Sequence, residues 1–218
     1  MKKRSFVQEG GQSDKRVEKR VEKKGGEEMK EKFDKEDKEC NEILKDTLEL
    51  MRKIREGETI PFGTIAKIGL DLRNLNIDGD YHLYEIAIVK QKLDLSGSTV
   101  KGRLSLTNMI IDGFLNLEKI NIKSTLYLIG ITVTGNLILK EANIGGHLEL
   151  ANAMIGGDLN LEDAIIGEEL DLRGINIGGN LNLTTKKRLK RILVSETMAQ
   201  LVHFAAPTVP LIVDRRGK

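Results

Sequence analysis

The chain contains no tryptophan, five phenylalanines and three tyrosines in 218 residues, so aromatic residues make up only 4% of it. A core must therefore come from Leu, Ile, Val and Ala, and folds centred on aromatic packing are disfavoured. One cysteine, Cys40, excludes an internal disulfide framework and a multi-cysteine zinc site, and it fits a reducing compartment. Three histidines leave little material for a metal centre, and three prolines leave few rigid breaks. Long apolar runs are also missing. The most apolar stretch, residues 198–213, contains His203, Pro207 and Pro210 and is shorter than the roughly 20 residues a spanning helix needs. The basic start Met1-Lys2-Lys3-Arg4 leads into Ser, Gln, Glu and Gly rather than an apolar segment, so no secretory signal is read there and the expected location is cytoplasmic.

What the chain does have is charge at its ends. Residues 1–56 carry 17 basic and 15 acidic side chains, residues 57–184 carry 10 and 16, and residues 185–218 carry 8 and 2. Residues 1–40 pair dense mixed charge with few apolar groups, which cannot offset the entropy of ordering, so a charged flexible tail or a frayed lone helix is expected there. From residue 41 to 56 the pattern is an amphipathic helix. Ile43, Leu44, Leu48, Met51 and Ile54 recur at helical spacing, and Gly57 provides the stop.

Between Leu70 and Leu183 an apolar pattern returns at every eleventh position. Leu104/Leu106, Leu115/Leu117, Leu126/Leu128, Leu137/Leu139, Leu148/Leu150, Leu159/Leu161, Leu170/Leu172 and Leu181/Leu183 are eight successive L-x-L pairs. Five and seven positions after the first member of most pairs stands a second pair, such as Met109/Ile111, Ile120/Ile122, Ala142/Ile144 and Ala164/Ile166. Residues two apart share one side of an extended strand, so Glu149, Asn160, Asp171 and Asn182 point the other way. The same residues on a helix would be about 200° apart, which excludes a helical repeat. Glycines at 79, 102, 113, 135, 146, 157 and 179 precede the L-x-L pairs, where the backbone turns a corner and positive φ costs glycine little.

Turn and strand at a fixed period define a solenoid. A single unit per turn would crowd four bulky side chains into too narrow a tube. Two units per turn, about 22 residues with eight inward side chains, fit native packing density. Residues 57–184 are therefore expected to form a four-sided β-solenoid, with residues 70–183 supplying about five coils and the Tyr81 unit one residue longer than the rest.

Ala142-Asn143-Ile144-Gly145-Gly146, Ala153-Met154-Ile155-Gly156-Gly157 and Ala164-Ile165-Ile166-Gly167-Glu168 resemble the unit of the pentapeptide-repeat family, right-handed quadrilateral β-helices with a small residue and a central Leu facing inward. The likeness covers about half of the chain. It departs from the family in running five plus six residues and in placing large residues at the usually small inward position. Some members mimic DNA through dense carboxylate arrays. Here the outward positions mix Asp71, His82, Asp94, Ser105, Asn116, Tyr127 and Ile138 with Glu149 and Asp171, which does not make such an array, so a nucleic-acid mimic is not expected.

No acid–base pair, nucleophile motif or phosphate loop is present, and no catalytic, cofactor-binding or metal-binding residue is assigned. Several places stand out nonetheless. Asn116, Asn160 and Asn182 fall along one side of the rod and are read as a solvated strand face. His147, beside Glu149 without a second His or Cys, is read as a surface imidazole. Tyr81-His82-Tyr84 marks the register slip and is read as a packing adjustment. Cys40 has both basic and acidic neighbours, and its thiolate is not evidently favoured. Residues 185–218 begin Lys186-Lys187-Arg188-Leu189-Lys190-Arg191 and continue through Ile192, Leu193, Met198, Leu201, Val202 and Phe204 at near-helical spacing, giving a basic helix that caps the last coil.

The function expected from these features is a non-enzymatic scaffold or protein-interaction module with a protein partner or self-association. The alternatives are a polymerising scaffold resembling bactofilins and peripheral attachment to anionic membrane through the basic ends. The inward assignment is directly testable: Leu150→Asp should unfold the rod, whereas Glu149→Lys should leave a circular-dichroism melt nearly unchanged.

Overall fold

The computed structural model describes residues 13–56, 58, 63–83, 86–185, 189–205 and 211–214. Two compact units divide between Lys45 and Asp46. The first holds most of a helix, α1 (Ser13–Glu56), and the second holds its last turns and a parallel β-solenoid. Helix therefore begins far upstream of residue 41, and over residues 13–40 the chain takes the helix of the two forms expected there. Lys, Glu and Arg of good helix propensity fill this stretch, and from Lys23 onward opposite charges stand four apart, as at Lys23/Glu27, Glu28/Lys32, Glu31/Lys35 and Lys35/Glu39. The helix ends at Glu56, beside Gly57 as expected, and the Glu58 N–H donates back to the Lys53 carbonyl at 2.9 Å.

The solenoid has about six turns of about 22 residues. Its four sides are stacks of short parallel strands. The first side runs from Tyr81–His82 through Leu104–Ser105, Leu126–Tyr127, Leu148–Glu149, Glu169–Leu172 and Arg191–Ser195 to Leu211–Asp214. The fourth consists of Asn76–Ile77, Thr99–Val100, Asn121–Ile122, Asn143–Ile144 and Ile165–Ile166. The second and third sides are joined by the longer strands Ile86–Asp94 and Ile110–Asn116, which bend around the corner between them. Thr132–Val133, Met154–Ile155 and Asn176–Ile177 continue the second side, and Leu137–Ile138, Leu159–Asn160 and Leu181–Asn182 the third.

Register explains the sequence period. Leu104, Leu126, Leu148, Leu170 and Ile192 are stacked partners, each one full turn after the last. Both members of nearly every apolar pair are buried, many at 0% exposure, so each turn adds an aliphatic layer to one continuous core. Each such side chain contributes roughly 1.5–3 kcal/mol of transfer free energy. Ser98 stands at an inward position and is also fully buried. Its hydroxyl accepts from the Leu75 N–H at 3.0 Å and donates to the Leu72 carbonyl at 3.2 Å, so a polar atom within the core is satisfied on both counts.

The extra residue of the Tyr81 unit is a bulge. Thr64 pairs with Ile86 but Ile65 pairs with Ile88, so Ala87 is skipped. Tyr81 takes an inward position where later turns have Leu, and its hydroxyl donates to the Ile54 carbonyl at 2.8 Å. Ile54, Leu50 and Met51 pack on the aliphatic core, and the Arg55 guanidinium donates to the Asp71 carbonyl. The last turns of α1 thus cover the first coil.

At the other end two corrections apply. Ile192 and Leu193 belong to a strand, Arg191–Ser195, that extends the first side by another turn, because Ile192 and Val194 stack on Leu170 and Leu172 and share their inward register. The helix of this region is α2 (Glu196–Ala205), shorter than the Lys186–Pro207 segment read from the sequence, and a further parallel strand, Leu211–Asp214, follows it. Helical spacing and continued strand period coincide over Ile192 and Leu193, and burial decided for the strand. Val202 is fully buried, and Met198 and Ala199 pack on the core, so α2 does cover the last coil.

The corner glycines also differ in their reason. Of the seven that precede L-x-L pairs, only Gly79 and Gly113 have positive φ. The others lie against the preceding rung. Gly157, for example, has the Asn136 side-chain oxygen where its Cβ would stand. Positive φ recurs instead at Asn74, Gly97, Lys119, Glu141 and Asp163, one column between the third and fourth sides, and at Asn108, Gly130, Asn152 and Gly174, between the first and second.

Two substitutions test this geometry. Gly113→Ala would drive a Cβ into the Gln91 carbonyl oxygen at a φ of 151°, and should destabilise by about 3 kcal/mol or more. Glu141→Gly relieves a left-handed residue held by one exposed pair, and should raise stability by up to about 1 kcal/mol in a denaturant melt.

Candidate functional site

Strand alternation leaves one outward column on each side of the rod, and the column of the second side is largely apolar. Ile65, Ile88, Ile110, Thr132, Met154 and Asn176 are successive register partners there. Ile65 is 53% exposed, Ile110 43% and Met154 52%, and Phe114, at the adjoining corner, is 39% exposed. Stacked strands hold these side chains at intervals of about 4.8 Å on a flat surface. Of its six rungs, the three at 107–113, 129–135 and 151–157 contain one charged residue, Asp112, whose carboxylate is met by the Lys90 ammonium at 2.8 Å, while Lys67 and Lys90 border the first two rungs and Arg173 the last. Lys90 also holds the Asp112 carboxyl below its ordinary pKa.

Other outward columns are polar or charged. On the third side Asp71, Asp94, Asn116, Asn160 and Asn182 each turn a side-chain oxygen back to accept the backbone N–H two residues on, at 2.9–3.3 Å. The asparagines read as a solvated strand face are therefore corner-forming groups. Their amide oxygens close the turn that leads into the positive-φ column. Ile138, in the same column, lacks this bond. The fourth side presents Asn76, Thr99, Asn121, Asn143 and Ile165, and the Asn143 amide donates to the Asn121 oxygen at 3.3 Å.

On the first side the outward column is His82, Ser105, Tyr127, Glu149, Asp171 and Leu193. Asp171 is only 2% exposed and forms a forked ion pair with Arg173, closest approach 2.6 Å. Glu149 lies one rung below. Burial, and then the Asp171 charge, push its carboxyl above the ordinary carboxylate range. His147 sits at the preceding corner, half-buried, with a ring Nδ1 that is covered and has no hydrogen-bond partner; its backbone N–H approaches Thr125 Oγ1 at 3.4 Å. No cluster of three His, Cys, Asp or Glu able to hold a metal occurs among the described residues.

The remaining sequence candidates are dispersed. His82 is exposed, Cys40 is exposed on α1, and Tyr84 with Lys186, Lys187 and Arg188 lies outside the described residues. Of the basic C-terminal run, Lys190 pairs with Glu168 at 2.6 Å and Arg191 with Glu169. No described helix is long and apolar enough to cross a membrane. The apolar column went unremarked in the L-x-L reading, although Met109-Ile110-Ile111 and Ala153-Met154-Ile155 are uninterrupted apolar triplets, the signal of a strand with both faces apolar.

No family model matches the chain, and comparison with curated proteins and with solved structures finds no match.

Glu149 yields a pH-dependent expectation. Its folded pKa is raised, so the folded state holds that proton more tightly than the unfolded chain, and stability falls as pH rises from the ordinary 4.5 through the raised value. Glu149→Gln removes the loss, so residue 149 is not the silent outward position expected from strand alternation: it is partly buried and repelled by Asp171. The variant should melt higher than the parent at pH 7–8, by up to about 2–4 °C for a like-charge contact of ~1 kcal/mol, and the two should converge near pH 4.

Proposed function

We propose that this chain is a non-enzymatic β-solenoid scaffold whose second side is a protein-interaction surface. The observation that carries the reading is the exposed column of Ile65, Ile110 and Met154 on a flat sheet bounded by polar corners. Large apolar groups scattered singly need no explanation, but a contiguous column in register marks a contact site. Coverage of the first coil by α1 and of the last by α2 favours a discrete module over end-to-end polymerisation. The pairing of Lys190 and Arg191 with glutamates on the neighbouring turn leaves those two cations less available to anionic lipid. The inward alternation of small and large residues, Ala142/Ile144 and Ala164/Ile166, supports kinship with pentapeptide-repeat coils in a variant built on a unit of five plus six.

A photo-crosslinking amino acid tests the assignment of the surface. Benzoyl-phenylalanine at Met154 should give protein adducts in cells on irradiation, and the same group at Asn143, exposed on the fourth side, should give few. Equal yields at the two positions, or none at 154, would remove the second side from consideration.

A further inference from the structure

We infer that the occupant of the second side is a second copy of this chain, the two solenoids meeting face to face through their Ile65–Met154 columns; the inference rests on the reading of that side as an interaction surface. The first argument is polarity. In a two-fold contact residue i of one copy meets residue j of the other and j meets i, so a side with charge of one sign opposes like charge, and a side with both signs must desolvate its ion pairs. The first side would bring Glu149 and Asp171 towards their copies. The corners flanking the third would bring together Glu118, Lys140 and Glu162, which lie in the turns that follow its strands. The fourth has no charge in its column, but Asp78 and Lys101 border it, and its asparagine amides would lose water without gaining apolar contact. Among the described residues, only the second side has an outward column that is both uncharged and largely apolar, and the carboxylate described at its margin, Asp112, is paired with Lys90. Like-charge juxtaposition on the first side, and the desolvation of ion pairs and amides on the third and fourth, select against those self-pairings and leave this one.

The second argument is period. A partner that fills a row of side chains spaced by about 4.8 Å needs projections at the same interval, and another copy supplies them from a sheet with the same rise. Ile110 and Met154, two rungs apart with the smaller Thr132 between them, make alternating high and low points. Sheets of matched period can interdigitate such points at the usual spacing of about 10 Å. No charge in the column must be desolvated in doing so.

Size sets the strength. Six rungs span about 24 Å, and a side about five residues wide is about 15 Å across, giving a face on the order of 350 Å² per copy. That is less than half of the roughly 800 Å² per partner in stable complexes, so the dimer is weak and reversible.

Sedimentation equilibrium on the full chain, from about 5 µM to about 500 µM, tests this. The weight-average mass should rise from 24.3 kDa towards twice that value. Met154→Lys should hold the mass at the monomer value at every concentration with an unchanged thermal melt, because residue 154 is outward and its substitution empties nothing in the core. Asn143→Lys, which adds the same charge to the fourth side, should associate like the parent. A second readout avoids reliance on any charged variant: purified protein with benzoyl-phenylalanine at 154 should crosslink to dimer mass, with the adduct mapped to the Ile110–Met154 region of the other copy. A parent chain that stays monomeric throughout, a Met154→Lys chain that associates as the parent does, loss of association in both lysine variants, or an adduct mapped to another side would each overturn the inference. Adducts at 154 made in cells only with a different protein would overturn self-pairing while leaving the surface in place, whereas no adducts at 154 in any setting would remove both.

Discussion

Everything in this molecule depends on one constraint: each turn must repeat the backbone course of the turn before it closely enough for parallel strands to bond and aliphatic side chains to stack. A single rung of two residues per side has almost no stability of its own. Its backbone groups find partners only one rung above and one below, and its Leu and Ile side chains lose water only when the next layer is laid down. Stability therefore grows by neighbour contacts, and the length of one turn is the circumference at which eight inward side chains fill the section. The two exposed layers at the ends are the natural weak points. Ile54, Leu50 and Met51 from α1 meet the first layer, and Val202, Met198 and Ala199 from α2 meet the last.

The same constraint decides what the corners require. A chain that must return to register once per turn has no room for a Cβ where two rungs approach closely, and at the column of residues 74, 97, 119, 141 and 163 it must pass through left-handed conformation. Asn and Gly meet this at low cost, and Asp tolerates it, whereas Lys119 and Glu141 tolerate it only because the stacked layers on both sides fix the turn. The Asn and Asp oxygens that accept N–H groups two residues ahead belong to this device. Their recurrence along the rod follows from the corner recurring every turn.

Much of the fold was legible because the inward pairs have a short period that no helix can satisfy. Leu137 and Leu159 declare their partners by spacing alone, and so do most residues up to Leu183. Legibility failed where one residue could obey two periods. Ile192 and Leu193 fit a helical face when read forward into Met198, and fit the first side when counted back one turn to Leu170 and Asp171; only three-dimensional packing separates these. Over residues 13–40 the sequence left a flexible tail and a lone helix both open, because dense charge offers little to bury in either, and the structure takes the helix. The candidate site was hidden for a different reason. A pattern search rewards apolar residues at inward positions and passes over an apolar residue between them, so Ile110 and Met154 were absorbed into the repeat.

That omission bears on how a solenoid acquires function. Inward positions and corners are held by packing, by turn geometry and by close backbone approach, which leaves the outward columns as the places where sequence can vary without unfolding the rod. Three of the four sides here use that freedom for solubility, with polar columns and with the pairs Lys101–Asp78, Lys140–Glu162 and Lys190–Glu168 at their margins. Exposed pairs of this kind contribute little to stability, and their effect is to keep those sides hydrated. A column that instead carries Ile, Ile, Ile, Thr and Met forgoes this protection along the height of the rod. The cost is an exposed sheet face prone to adhesion, and the gain is a contact surface whose spacing is fixed by the same ladder that holds the core. Core and contact surface are thus one periodic object seen from its two faces, and a change in rung spacing would disturb both together.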